Sequence, residues 1–407
     1  MATPLSLQLP VAGARLESYT VRGGAPFAAA APTRPFTRVA YSAAHVVADP
    51  LANVDPWLGS AVDWDATIAY RQRLWALGLG VAEAMDTAQR GMGLDWPTSL
   101  ELITRSLDAA RDVPGALIAC GCGTDHLEPA LASTVDDVIR AYEEQMAAIE
   151  AHGGRLIVMA SRALARVATS PADYERVYDR VLMQSRQPVI LHWLGEMFDP
   201  QLAGYWLGSS EASRADALER ATDVALGVIA ANPGKVDGVK ISLLDKEREV
   251  AMRRRLPEGV RMYTGDDFNY AELIAGDGVG AAQNQQHSDA LLGIFDAIAP
   301  AASAALDALA GGDVERFHAI LAPTVPLSRH IFQAPTRFYK TGIVFLAWLN
   351  GHQRHFTMVG GQQSARSLLH LAEAFRLADA AGLLEEPSLA TERMRQLLAL
   401  HGIVSSS

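Results

Sequence analysis

"VDGVKISLLD", residues 236–245, is an apolar run of strand-like composition with one lysine, Lys240, at its centre. An ammonium group is costly inside such a run unless something neutralises it or uses it. The residue type matters, because only four of the 35 basic residues in this 407-residue chain are lysines: Lys235, Lys240, Lys246 and Lys340. Wherever charge alone is wanted, the sequence writes arginine. Lysine can shed its proton and attack a carbonyl, which a guanidinium effectively cannot do. Position alone leaves three readings of Lys240 open: a side chain that snorkels to solvent, half of a buried ion pair, or a Schiff-base nucleophile.

The surroundings of this run repeat its grammar. Strand-like segments at 36–42, 79–85, 115–121, 154–160, 188–194, 236–242, 259–265 and 278–283 alternate with amphipathic helical ones, such as 63–77, 134–154 and 171–184. Eight strands, each followed by a helix, in about 250 residues predict an α/β fold, a (β/α)₈ TIM barrel over 36–312. A doubly wound sheet is the rival, but no strand is followed by G-x-G-x-x-G. Residues 1–35 read as a short N-terminal strand-like arm and linker, and 313–407 as a C-terminal helical subdomain.

Composition narrows the class. Hydrophobic residues make up 49% and charged residues 20%, and the net charge is −11. The chain can fill a large core, and it lacks the basic face that nucleic acid requires. Apolar stretches such as 341–351 are about half the length of a membrane span. The N-terminus lacks the basic and apolar regions of a secretion signal, so the expectation is a soluble, cytoplasmic protein. Cys120 and Cys122 are spaced too closely for an ordinary disulfide and have no second pair to complete a zinc site.

In such a barrel the reacting groups collect at the C-terminal ends of the strands. His45 follows strand 1. Glu83, Asp86 and Thr87 end strand 2, Asp125 and His126 strand 3, and Ser161 and Arg162 strand 4. Strand 5 carries His192, Trp193 and Glu196, strand 6 Lys240 and Ser242, and strand 7 Tyr263, Asp266 and Asp267. Asn284 and His287 follow the predicted strand 8.

At these positions the chain resembles the dihydrodipicolinate synthase / N-acetylneuraminate lyase superfamily of class I aldolases. That superfamily carries G-[IV]-K-x-S on strand 6, here "GVKIS" with Gly238, Lys240 and Ser242. Its strand-7 turn is similar to "YTGDDFNY", with Gly265, Asp266 and Asp267. "GDGVGAAQNQ" and "FYKTGIVFLAWLNGH" resemble its strand-8 region and C-terminal helices, so the likeness covers roughly 36–385. It implies an imine on Lys240, no separate cofactor and a homo-oligomer.

The departures lie around the lysine. Where the superfamily has G-T-T-G-E for the pyruvate carboxylate, this chain has "VAEAMDTAQRG"; where it has P-Y-Y, with a proton-relay tyrosine, it has "VMASRALAR". Glu83 and Asp86 would repel a carboxylate and accept hydrogen bonds from hydroxyls, so the expected substrate is a hydroxylated carbonyl compound, a keto-sugar or a sugar-derived keto acid. The expected catalytic set is Lys240, His192 and Asp86. His45, Glu83, Thr87, His126, Arg162, Trp193, Ser242, Asp266, Asp267 and His287 are expected to bind substrate. The alternative is a divalent-metal sugar isomerase, epimerase or lyase that uses Glu83, Asp125, His126, His192 and His287. A non-catalytic binding barrel is the third reading.

Overall fold

A computed structural model describes residues 5–22, 27, 30–207 and 214–404. The linker expected at 25–35 therefore lies partly outside the described residues. The chain forms two compact units, one of residues 38–44 and 80–292, the other of 1–37, 45–79 and 293–407.

The first unit holds the barrel. Its strands are β3 (Ala40–Ala43), β4 (Gly80–Glu83), β5 (Ile118–Cys122), β6 (Leu156–Met159), β7 (Val189–Leu194), β8 (Val236–Ser242), β9 (Arg261–Thr264) and β10 (Asp289–Leu292). All neighbours are parallel, and β10 pairs with β3 to close the sheet. The expected (β/α)₈ barrel with a C-terminal helical region is therefore the observed fold. The helix starts follow from local chemistry. Thr134 and Asp137 form a capping box ahead of Val135–Ala151, and Ser170 and Asp173 form one ahead of Pro171–Gln184. Each satisfies amides that the first turn leaves unpaired.

One strand was misplaced by the sequence reading. Residues 278–283 form a loop that leads into a short turn of 3₁₀ helix, and the eighth strand is "DALL", Asp289–Leu292. The glycine- and alanine-rich run mimicked a strand, whereas the four-residue strand, buried on both faces, has too little pattern to announce itself.

Side chains alternate across a strand, so every second residue points into the barrel. Tyr41, Ala82, Ala119, Ile157, Ile190, Tyr263 and Leu291 pack together there as the core. Tyr263 and Tyr41 lie with ring centroids 6.1 Å apart, and the Tyr263 hydroxyl donates to Asp237 at 2.6 Å.

In the second unit, β1 (Ser6–Val11) and β2 (Arg15–Thr20) form an antiparallel hairpin. The hairpin is tied to the C-terminal helices by Tyr19, whose hydroxyl donates to Asp379 at 2.6 Å. From Ala299 onward the described chain is helical and contains no strand. No helix among the described residues is long and apolar enough to cross a membrane.

Candidate active site

Lys240 lies inside the barrel. Register sets it opposite His192 on β7 and Tyr263 on β9. Gly238 and Ser242 share its face, and Ser242 is opposite Leu194. Two glycines of the motifs make room. A Cβ on Gly238 would fall 2.6 Å from the Tyr263 ring. One on Gly265 would fall 2.8 Å from Lys240 Cε and collide with Ser242 Oγ. Both distances are well inside van der Waals contact, so only glycine fits.

Burial lowers the Lys240 pKa, while the charges of Asp86 and Asp267 pull it back up. Desolvation wins, and the balance favours the free amine relative to an exposed lysine. His192 is also held well below its usual pKa, first by burial and then by the charge of Lys240. Its Nε2 lies 3.4 Å from Ser242 Oγ, and Nδ1 is buried with no hydrogen-bond partner among the described residues. His192 is thus a neutral imidazole beside the amine, poised to accept or give a proton.

Beside His192 is a cavity of about 140 Å³ whose lining includes Asp86, Arg90, Asp125, Arg162, His192 and Asp199, while Lys240 itself does not line it. Its two arginines are already engaged. Arg90 grips Asp125 with two parallel bonds, Nε to Oδ2 at 3.0 Å and Nη2 to Oδ1 at 2.7 Å. Against the burial that would raise it, Arg90 holds the Asp125 carboxyl below its usual range. Arg162 Nε donates to Asp199 at 2.5 Å.

Other expected site residues lie elsewhere. Glu83 alternates with inward Ala82 and so faces outward, where its carboxylate accepts from Ser106 Oγ at 2.6 Å. Trp193 alternates with His192 in the same way and packs near Trp206, with centroids 6.5 Å apart. His126 points to the helix Val135–Ala151, with Nδ1 2.8 Å from Gln145 and Nε2 3.3 Å from Glu144. Thr87 is buried but does not line the cavity.

Asp266 spends its carboxylate on the turn, where it accepts from the amides of Phe268 at 2.8 Å and Asn269 at 3.1 Å. Asp267, the next residue, is the one whose charge reaches Lys240. His45 belongs to the other unit, where Asp296 holds its Nδ1 at 2.8 Å.

His287 precedes β10, so it lies at the N-terminal end of the barrel and not at the expected mouth. Burial, then Arg38, Arg253 and Arg261, lower its pKa to about 4. Asn284 is there too, capping the carbonyls of Pro257 and Val260. Both displacements follow from the misplaced strand. The five residues of the metal reading therefore do not converge. Among the described residues no group of three or more His, Cys, Asp or Glu side chains could hold a metal ion.

Sequence reasoning missed Arg90, Asp199 and Tyr205. Tyr205 comes from the loop after β7 and accepts from the Ser161 amide at 3.1 Å. It reaches the end of the fourth barrel strand from a distant part of the chain, and no local signal could reveal it.

A family model described as "Protein of unknown function (DUF993)" matches residues 7–403. Among curated proteins none matches the chain. Solved structures of dihydrodipicolinate synthases and their relatives do. The enzyme from Oceanobacillus iheyensis is 14% identical with a TM-score of 0.58, and the match covers 83% of this chain and 96% of that one. YagE, an E. coli K12 prophage protein of the dihydrodipicolinic acid synthase family solved with pyruvate, is 13% identical at a TM-score of 0.59, covering 90% and 99%. The Acinetobacter baumannii enzyme, complexed with pyruvate, is 15% identical at 0.59, covering 85% and 99%. At these identities the likeness is one of fold: the barrel is built like those of the dihydrodipicolinate synthases.

Proposed function

The chain belongs to the DUF993 family, and from that premise and the walls of its barrel we propose an imine-forming lyase or aldolase acting through Lys240. The observation that carries this reading is a buried lysine, its pKa lowered by desolvation, in register with a histidine that lines a cavity. The Lys240 amine adds to a substrate carbonyl, and loss of water leaves an iminium. The Cα–Cβ bond of the substrate then breaks: the β-hydroxyl gives up its proton and becomes the carbonyl of the departing fragment, while the bond's electron pair moves toward the iminium to give an enamine. Protonation and hydrolysis return the amine and release the carbonyl product. His192 moves the protons these steps need.

Substrate choice follows from the lining. Asp86 lines the cavity, while Asp125 and Asp199 occupy its two arginines. Such walls accept hydrogen bonds from hydroxyls and disfavour a free anion. A keto-sugar or similar hydroxylated carbonyl compound fits them. Ser242 and Asp267 belong to the same constellation, and Arg162 shapes its rim. A homo-oligomeric, cytoplasmic enzyme is part of the proposal.

The test is reductive trapping. Incubation with keto-sugars and 2-keto acids under borohydride should leave a substrate-sized mass on Lys240, and K240R should abolish it. Activity that survives K240R, or that EDTA abolishes with no adduct formed, would sink the proposal.

A further inference from the structure

Glu249 lies outside the machinery just described, on the helix Lys246–Arg253 that follows β8. It is 1% exposed. Among the described residues its oxygens meet hydroxyls and no cation: Ser288 Oγ donates to Oε1 at 2.7 Å and Thr264 Oγ1 to Oε2 at 2.9 Å. The Thr264 hydroxyl in turn accepts from the Asp266 amide at 3.2 Å. Glu249 therefore holds the start of the turn that carries Gly265 and Asp267. Gly265 is the residue pressed against Lys240 and Ser242, and Asp267 is one of the two charges that Lys240 feels.

The charged groups facing Glu249 come from two elements. Asp266, on the turn after β9, opposes its ionisation. Arg253, on its own helix, favours ionisation, but its donors go to the Gln285 carbonyl at 3.0 Å, Asp277 at 3.2 Å and Ser288 at 3.4 Å. The Ser288 and Thr264 hydroxyls, by donating to its oxygens, also favour the charged form, but burial is the larger effect and keeps the proton on.

We propose that Glu249 is a positioning residue, a neutral carboxylic acid that clamps the Thr264–Asp267 turn against Lys240. The clamp goes beyond the imine reading but rests on it for its purpose. Burial raises the Glu249 pKa to about 8. Above that pH the ionised carboxylate repels Asp266, the turn slackens and the packing of Gly265 on Lys240 is lost.

The experiment needs no substrate. The rate of Lys240 carbamylation by cyanate, followed by mass spectrometry of the Lys240 peptide from pH 6 to 10, reports the state of the amine. In the wild type the curve should depart from a single-group titration near pH 8, by about threefold or more. E249Q, neutral at every pH, should follow a single-group curve throughout. T264V, which cuts the link between Glu249 and the turn, should also lose the second step. If E249Q and wild type superimpose, the clamp is refuted. A failure to trap any carbonyl compound on wild-type Lys240 would instead refute the imine reading and leave the carbamylation result standing by itself.

Discussion

His192 and Lys240 are direct neighbours across β7 and β8, and burial keeps the imidazole neutral, helped by any charge the lysine carries. In the proposed mechanism the pair divides its labour. The amine forms the covalent bond, and the neutral imidazole carries protons.

His192→Gln should separate these roles. Losing a positioned acid–base group lowers turnover by roughly 10²–10⁴. The borohydride adduct on Lys240 should still form, because the nucleophile remains. Turnover within a few-fold of wild type would show that another group moves the proton.

Asp86→Asn removes a charge that favours the ammonium form of Lys240. The Lys240 pKa should therefore fall further, and the acidic limb of imine formation should move to lower pH. Trapping rates measured across the pH range check the sign. A limb that stays put, or moves to higher pH, contradicts the assigned contact.

Gly265→Ala places a methyl group 2.8 Å from Lys240 Cε and from the Ile241 carbonyl. Overpacking of this kind costs about 1–3 kcal/mol. The denaturant midpoint should drop, and Lys240 trapping should slow in the fraction that stays folded. An alanine variant with wild-type stability and trapping would mean the turn has slack it does not show.

His287→Gln probes the opposite end of the barrel and should leave turnover unchanged. Its effect should appear in stability. A histidine with a depressed pKa in the folded state gives stability that is complete above about pH 6.5 and lost as pH falls toward 4. The variant should therefore resist acid better than wild type across that window, as read by melting temperature. Lost activity at neutral pH would instead return His287 to the site.

The contrast between His192 and His287 shows what the sequence made legible. The six-residue β7 with His192 and the seven-residue β8 with Lys240, both buried along nearly their whole length, announce themselves through their runs of apolar residues. The barrel, its order and seven of its eight strands were readable for that reason. β10 is four residues long and was hidden behind a glycine-rich loop, which misplaced Asn284 and His287 together. The inward or outward aim of Glu83 and Trp193 depends on a register shift of one residue, which composition does not encode. Arg90 with Asp125, Arg162 with Asp199, and Ser161 with Tyr205 each join separate segments of chain, so their pairing exists only in three dimensions.

Tyr41, Ile157, Ile190, Tyr263 and Leu291 pack together in the barrel interior and fill space that solvent would otherwise take. In the proposed mechanism, the water expelled when the imine forms and the water that later hydrolyses it share the mouth of the barrel with the substrate. A bound product would then shield its own linkage from hydrolysis until that mouth admits solvent, so admission and exit would set the pace of turnover as much as bond-making at the nitrogen.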